Sequence, residues 1–145
     1  MTAASGNGKA QVLVVEDNPA DVELLRYALD SAGVDCDLTV IDNGGDALAF
    51  FQQRGRYSTS APPDLTILDL NLPRYDGIEI LEAMRANRTF ADVPVAVLSS
   101  SSSPRERAKL EAFHIGRYIT KPPNLDEYMR IGLIVKELLA ANARP

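Results

Sequence analysis

Residues 63–77 read PDLTILDLNLPRYDG. The apolar run at residues 65–68 predicts a strand, and a proline and an Asp-Gly pair further on predict the turn that leads away from it. The run ends on a carboxylate, Asp69, and burial of a lone carboxylate is costly. The stretch therefore predicts a strand whose carboxyl end carries a chemically active group.

Short apolar segments recur on both sides of this strand. Strands are predicted at residues 11–15, 38–41, 65–68, 93–98 and 118–120, and a helical pattern follows each of them. Strict alternation of strands and helices predicts an α/β fold, with a parallel sheet and helices on both of its faces.

The composition of the chain limits the classes of function that it can have. The chain has 145 residues, enough for one domain with its own core. Its 20 acidic and 15 basic residues give a net charge of −5, which argues against a nucleic-acid partner. One cysteine and one histidine exclude an internal disulfide and a multi-cysteine zinc site.

The sequence contains no apolar run near the roughly 20 residues of a membrane span, and residues 1–10 have no signal-peptide core. We therefore expect a cytoplasmic protein with no membrane partner. Residues 1–10 are predicted to be a disordered tail, and residues 11–141 one folded domain.

Polar residues follow the predicted strands. They are Glu16 and Asp17 after the first strand, Asp69 after the third, Ser99 after the fourth and Lys121 after the fifth. Because parallel strands end at one edge of a sheet, where open α/β sheets bind ligands, these side chains should meet. Carboxylates brought together repel one another, and Mg²⁺ is the usual cation that relieves this. Such a site is equipped to bond a phosphoryl group to Asp69.

These stretches resemble the receiver domain of two-component response regulators, including the chemotaxis regulators. The matching segments read VVEDNP at 14–19, PDLTILDLNLPRYDG at 63–77, PVAVLS at 94–99 and YITKP at 118–122. The resemblance covers about residues 11–141. It implies a flavodoxin-like, doubly wound sheet of five parallel strands in the order 2-1-3-4-5, flanked by five helices.

The resemblance also implies roles for individual residues. Asp69 is the expected phosphoacceptor, and Lys121 is expected to pair with the phosphoryl group. Ser99 matches the switch hydroxyl, and Tyr118 matches the aromatic residue that turns inward when Ser99 moves. A receiver catalyses its own phosphotransfer and dephosphorylation, so no separate enzyme activity is expected.

The same resemblance implies a ligand set for Mg²⁺. Asp17, Asp69 and the backbone carbonyl of Asn71 are the expected direct ligands, and Glu16 is expected to act mainly through water. It further implies a cis peptide bond between Lys121 and Pro122.

A narrower resemblance points to the stand-alone regulators of bacterial and cyanobacterial phytochromes. It rests on DNPAD at 17–21, the polar loop at 54–63, the serine run after Ser99, and HIGRYITK at 114–121. We therefore expect a single-domain regulator that receives a phosphoryl group from a sensor histidine kinase, a bacteriophytochrome. Only about ten residues precede the receiver, so output is expected through a changed protein-interaction face.

The last predicted helix has apolar residues around more of its circumference than one sheet face needs. The surplus is consistent with a broad buried face or with an exposed patch for a partner. In resembling regulators the face of the fourth helix, fifth strand and fifth helix forms homodimers, which makes a homodimer the expected state.

Three other classes stay open. A hydrolase with an aspartyl-phosphate intermediate would need a second acid where Asn71 stands, and an FMN carrier would need a phosphate loop where Glu16 and Asp17 stand. The third class is a degenerate receiver that binds partners without phosphorylation or drains phosphate. No site residue is missing, which argues against it.

Overall fold

The computed structural model describes residues 9–101 and 103–141. Its strands are β1 (Ala10–Val15), β2 (Cys36–Ile41), β3 (Leu65–Asp69), β4 (Val95–Ser99) and β5 (Arg117–Thr120). Its α-helices are α1 (Pro19–Ser31), α2 (Gly44–Gln52), α3 (Gly77–Ala86), α4 (Pro104–Leu110) and α5 (Leu125–Ala141), and short 3₁₀ turns lie at Gly55–Tyr57 and Glu111–Phe113.

The strands form one parallel sheet in the order β2-β1-β3-β4-β5. The predicted fold class, strand order and helix number are confirmed. Every strand points the same way, so the carboxyl ends of β1, β3, β4 and β5 share one edge. The polar residues that follow the predicted strands lie at that edge.

Some boundaries differ from the prediction. Helix α2 begins at Gly44, because the Asn43 side chain accepts a hydrogen bond from the Asp46 N–H at 2.7 Å and caps the first turn. Strand β4 spans Val95–Ser99 instead of 93–98. Of the predicted tail, Ala10 already belongs to β1, and residues 1–8 lie outside the described residues.

Two apolar layers cover the sheet. On one face α2 and α3 bury a cluster that includes Phe51, Leu81 and Phe90. On the other, α1 and α5 pack together over a cluster that includes Leu25 and Ile131. The two layers hold the strands rigidly, and the carboxyl edge is left to carry polar groups.

The α1–α5 contact depends on a glycine. A Cβ atom at Gly132 would lie 2.1 Å from the carbonyl oxygen of Ala28, so only glycine permits this approach. This contact, in the last turn of α1, brings the two helices close together over the sheet.

Candidate phosphorylation site

A lysine and three carboxylates meet at the carboxyl edge of the sheet. The Lys121 Nζ lies 3.0 Å from an oxygen of each of Glu16, Asp21 and Asp69. An ammonium group has three protons to donate, so this cluster uses all of them. Glu16 is 3% exposed and Asp69 is 2% exposed, so the ion pairs are largely removed from solvent.

The ends of the strands place these side chains. Asp69 is the last residue of β3 and Ser99 the last of β4. The Glu16 N–H donates to the Ile41 carbonyl at 3.0 Å, and the Lys121 N–H donates to the Ser99 carbonyl at 2.7 Å. Backbone hydrogen bonds of the sheet therefore fix both residues at the edge.

The charges within the cluster oppose one another. Burial and the neighbouring Asp69 together raise the pKa of Glu16 to about 7, although Lys121 acts to lower it. Burial alone would lower the pKa of Lys121, but hydrogen bonds to Asp21, Glu16 and Asp69 outweigh it and raise the pKa above its ordinary value. The lysine therefore stays protonated, and the carboxylates carry more negative charge than it neutralises.

This excess of carboxylate fits a hard cation. Carboxylate oxygens of Glu16, Asp17 and Asp69 all lie within 4.8 Å of one another, and Asp17 is the most accessible of the three. Oxygen donors in this number and spacing suit Mg²⁺ or Mn²⁺. The predicted carboxylate ligands are thus brought together by the fold.

Asn71 lies at the same edge. Its N–H donates to Asp69 Oδ1 at 2.8 Å, which fixes the orientation of that carboxylate. Its side-chain oxygen accepts from the Ser100 N–H at 2.8 Å and from the Ser100 hydroxyl at 2.9 Å. That its backbone carbonyl binds the metal stays a prediction.

The two predicted switch residues lie near a common acceptor. The Ser99 hydroxyl donates to Glu106 Oε1 at 2.7 Å, and the Tyr118 hydroxyl lies 2.5 Å from the same oxygen and 2.6 Å from the Ser101 carbonyl. Burial, and then the Glu106 hydrogen bond, raise the pKa of Tyr118. The predicted pair is therefore brought together, through a residue that sequence reasoning missed.

Asp21 and Glu106 were not predicted. Asp21 is the acidic residue in the first turn of α1, where a negative charge stabilises a helix start. Glu106 stands three residues after Ser103, the spacing of a capping box, which would predict a carboxylate bonded to the start of its own helix. These local signals are present in the sequence, but they do not predict the contacts that Asp21 and Glu106 make in the fold.

One implied feature is wrong. No peptide bond among the described residues is cis, so the Lys121–Pro122 bond is trans. Trans is the more stable isomer of an X–Pro bond, by about 0.5–1 kcal/mol.

Comparison with known proteins identifies the family of this chain. The chain belongs to the response regulator receiver domain family, whose model matches residues 12–131. Proteins of this family are phosphoacceptor partners of histidine kinases. None of the described helices is long and apolar enough to cross a membrane.

The chain is also similar to individual response regulators. The chain is 36% identical over 120 residues to the response regulator Rcp1 of Synechocystis sp. (strain ATCC 27184 / PCC 6803 / Kazusa), covering 83% of this chain and 82% of Rcp1. The phosphorylated cyanobacterial phytochrome response regulator RcpA matches with 34% identity and a TM-score of 0.83, covering 94% of this chain and 97% of RcpA. The Mn²⁺-bound form of Rcp1 matches equally well, at 34% identity and a TM-score of 0.83, covering 94% and 99%.

Proposed function

We propose that the chain is a single-domain response regulator that accepts a phosphoryl group on Asp69 from a phosphohistidine of a sensor kinase, in a reaction that requires Mg²⁺. One observation carries the proposal. Asp69 is buried at the end of β3 with Lys121 Nζ 3.0 Å from one oxygen, in a cluster whose carboxylates exceed its cations. Burial of charge is costly, and a buried cluster of this kind is typical of a functional site.

The chemistry follows from the two Asp69 oxygens. One of them forms the new bond to phosphorus as the P–N bond of the phosphohistidine breaks, and the electron pair of that bond stays on the imidazole nitrogen. Lys121 is placed to donate to a phosphoryl oxygen, and the Ser99 hydroxyl can donate to another.

Mg²⁺ would be held by Asp17, Asp69 and the Asn71 carbonyl, with Glu16 acting through water. When bound, it supplies positive charge against the phosphoryl oxygens. The same residues would serve hydrolysis of the aspartyl phosphate, in which a water oxygen bonds to phosphorus, the bond from Asp69 to phosphorus breaks and the Asp69 carboxylate is restored. The protein would thus catalyse both its own phosphorylation and its own dephosphorylation.

The phosphoacceptor is tested by mapping the modified residue. Borohydride reduction of an aspartyl phosphate converts the side chain to that of homoserine, which peptide mass spectrometry locates. We expect the mark at Asp69, and no mark in Asp69→Asn. The exposed Asp92→Asn variant provides a matched control that should label like the wild type. A mark at any other aspartate would contradict the assignment.

We further propose that the donor is a phytochrome-type histidine kinase in the cytoplasm. The proposal is supported by the similarity to Rcp1 and to the phytochrome response regulator RcpA. A purified phytochrome kinase carrying labelled phosphate should transfer its label faster than a kinase of unrelated sensory input. Equal or slower transfer from the phytochrome kinase would contradict this pathway.

We also propose a homodimer formed by the face of α4, β5 and α5. Leu133 on α5 is 55% exposed, which leaves apolar surface on this helix. Light scattering coupled to size exclusion should show a dimer that Leu133→Glu dissociates. Tyr27→Glu on α1, where the tyrosine is 58% exposed, is the matched control and should remain dimeric. A monomeric wild type, phosphorylated or not, would refute the proposal.

A further inference from the structure

Glu106 connects α4 to both switch residues. Its Oε1 accepts from the Ser99 hydroxyl at 2.7 Å and lies 2.5 Å from the hydroxyl of Tyr118. Ser99 is fully buried at the end of β4, whereas Tyr118 reaches Glu106 from β5. One carboxylate oxygen thus joins two strands to one helix.

The Glu106 carboxylate can accept from the switch residues because it does not cap the start of its own helix. The spacing of Ser103 and Glu106 is that of a capping box, in which the glutamate side chain would bond the backbone N–H of the serine. Half of the box is present, since the Glu106 N–H donates to Ser103 Oγ at 3.4 Å. The Ser103 N–H, however, donates to Ser101 Oγ at 3.1 Å. The Glu106 carboxylate is directed to the switch residues instead.

The proton of Ser99 has two possible uses. A serine hydroxyl has one proton to donate, and in this conformation the charged Glu106 is its nearest acceptor, with Asn71 Oδ1 more distant at 3.4 Å. A phosphoryl group on Asp69 would need the same proton. Ser99 can serve Glu106 or the phosphoryl group, but not both.

We propose that Glu106 is a positioning residue that holds the Ser99 hydroxyl away from Asp69 until phosphorylation, and that release of Ser99 from Glu106 transmits the phosphorylated state to α4. This rests on the proposed phosphorylation of Asp69. Tyr118 has a second acceptor in this conformation, the Ser101 carbonyl at 2.6 Å, and Arg107 of α4 lies over its ring at 4.6 Å.

The test compares Glu106→Gln with the wild type. An amide oxygen is a weaker acceptor than a carboxylate, so Ser99 is released more easily and the rate of phosphorylation by acetyl phosphate with Mg²⁺ should rise about tenfold. Glu106→Ala should give at least as large an increase. Glu111→Gln removes the same charge from an exposed position just after α4 and should leave the rate unchanged.

A second readout does not depend on phosphorylation. Ultraviolet titration of the Tyr118 phenol, isolated as the difference between each protein and its Tyr118→Phe counterpart, should show a lower pKa in Glu106→Gln, because the neighbouring negative charge is gone.

The two readouts separate the possible failures. A wild type that takes up no phosphoryl group would overturn the proposed function, and the role of Glu106 with it. Normal uptake at equal rates in wild type and Glu106→Gln would overturn the role of Glu106 alone, as would an unchanged Tyr118 titration.

Discussion

Replacing Glu16 with glutamine should stabilise the metal-free protein above neutral pH. Glu16 is 3% exposed, and burial raises its pKa to about 7 from an ordinary value of 4.5. The folded protein therefore binds a proton at Glu16 more tightly than the unfolded chain does. Between these two pKa values stability falls as pH rises, because the folded state holds the proton that the unfolded state has lost.

The magnitude follows from the same two pKa values. The contribution is fully present below about pH 4.5 and is lost as the pH passes about 7, with 1.36 kcal/mol for each unit between them. The loss is on the order of 3 kcal/mol, an upper bound because Glu16 shares its environment with Asp69. A glutamine side chain is uncharged at every pH, as protonated Glu16 is. Its advantage over the wild type should therefore grow by about 2–3 kcal/mol from about pH 5 to about pH 8.

Urea unfolding in the presence of a chelator measures this difference. Both proteins are unfolded at several pH values, with Glu79→Gln, an exposed glutamate of α3, as the matched control. Saturating Mg²⁺ should remove most of the advantage, because the cation compensates the Glu16 charge in the wild type. A difference that does not change with pH, or a glutamine variant less stable than wild type at pH 8 without metal, would show that the pKa of Glu16 is not raised in the folded protein.

Two further predictions concern the metal and the packing. Asp17→Ala should weaken Mg²⁺ binding at least tenfold, since a direct carboxylate ligand is lost, and titration followed by tyrosine fluorescence would show it; unchanged affinity would remove Asp17 from the site. Gly132→Ala should lower the free energy of unfolding by about 2–3 kcal/mol, because its Cβ would lie 2.1 Å from the Ala28 carbonyl. Gly116→Ala, where the nearest atom is 3.3 Å away, should cost clearly less, and equal losses would contradict the packing argument.

The fold could be predicted from the sequence because each strand is indicated by its own local pattern of apolar residues. Short apolar runs such as residues 65–68, each followed by turn residues and a helical pattern, leave a parallel α/β sheet as the consistent arrangement. Strand ends were less predictable. The start of α2 depends on the Asn43 cap, a single side-chain hydrogen bond that a hydrophobic pattern does not record.

The part of the site that could be predicted consists of the residues at the ends of strands. Glu16, Asp69 and Lys121 follow strands, and a parallel sheet brings them to one edge whatever the details of packing. Asp21 and Glu106 are on helices, where charged residues usually face solvent. Their contacts depend on how α1 and α4 dock on the sheet, since Asp21 meets a lysine 100 residues away in the chain.

Phosphorylation itself can be measured most directly by intact mass. The protein is incubated with acetyl phosphate, with and without Mg²⁺, beside Asp69→Asn. We expect a gain of one phosphoryl group in the wild type that requires Mg²⁺ and is absent from the variant. A wild type that gains nothing under either condition, or an Asp69→Asn variant that gains as much, would contradict it.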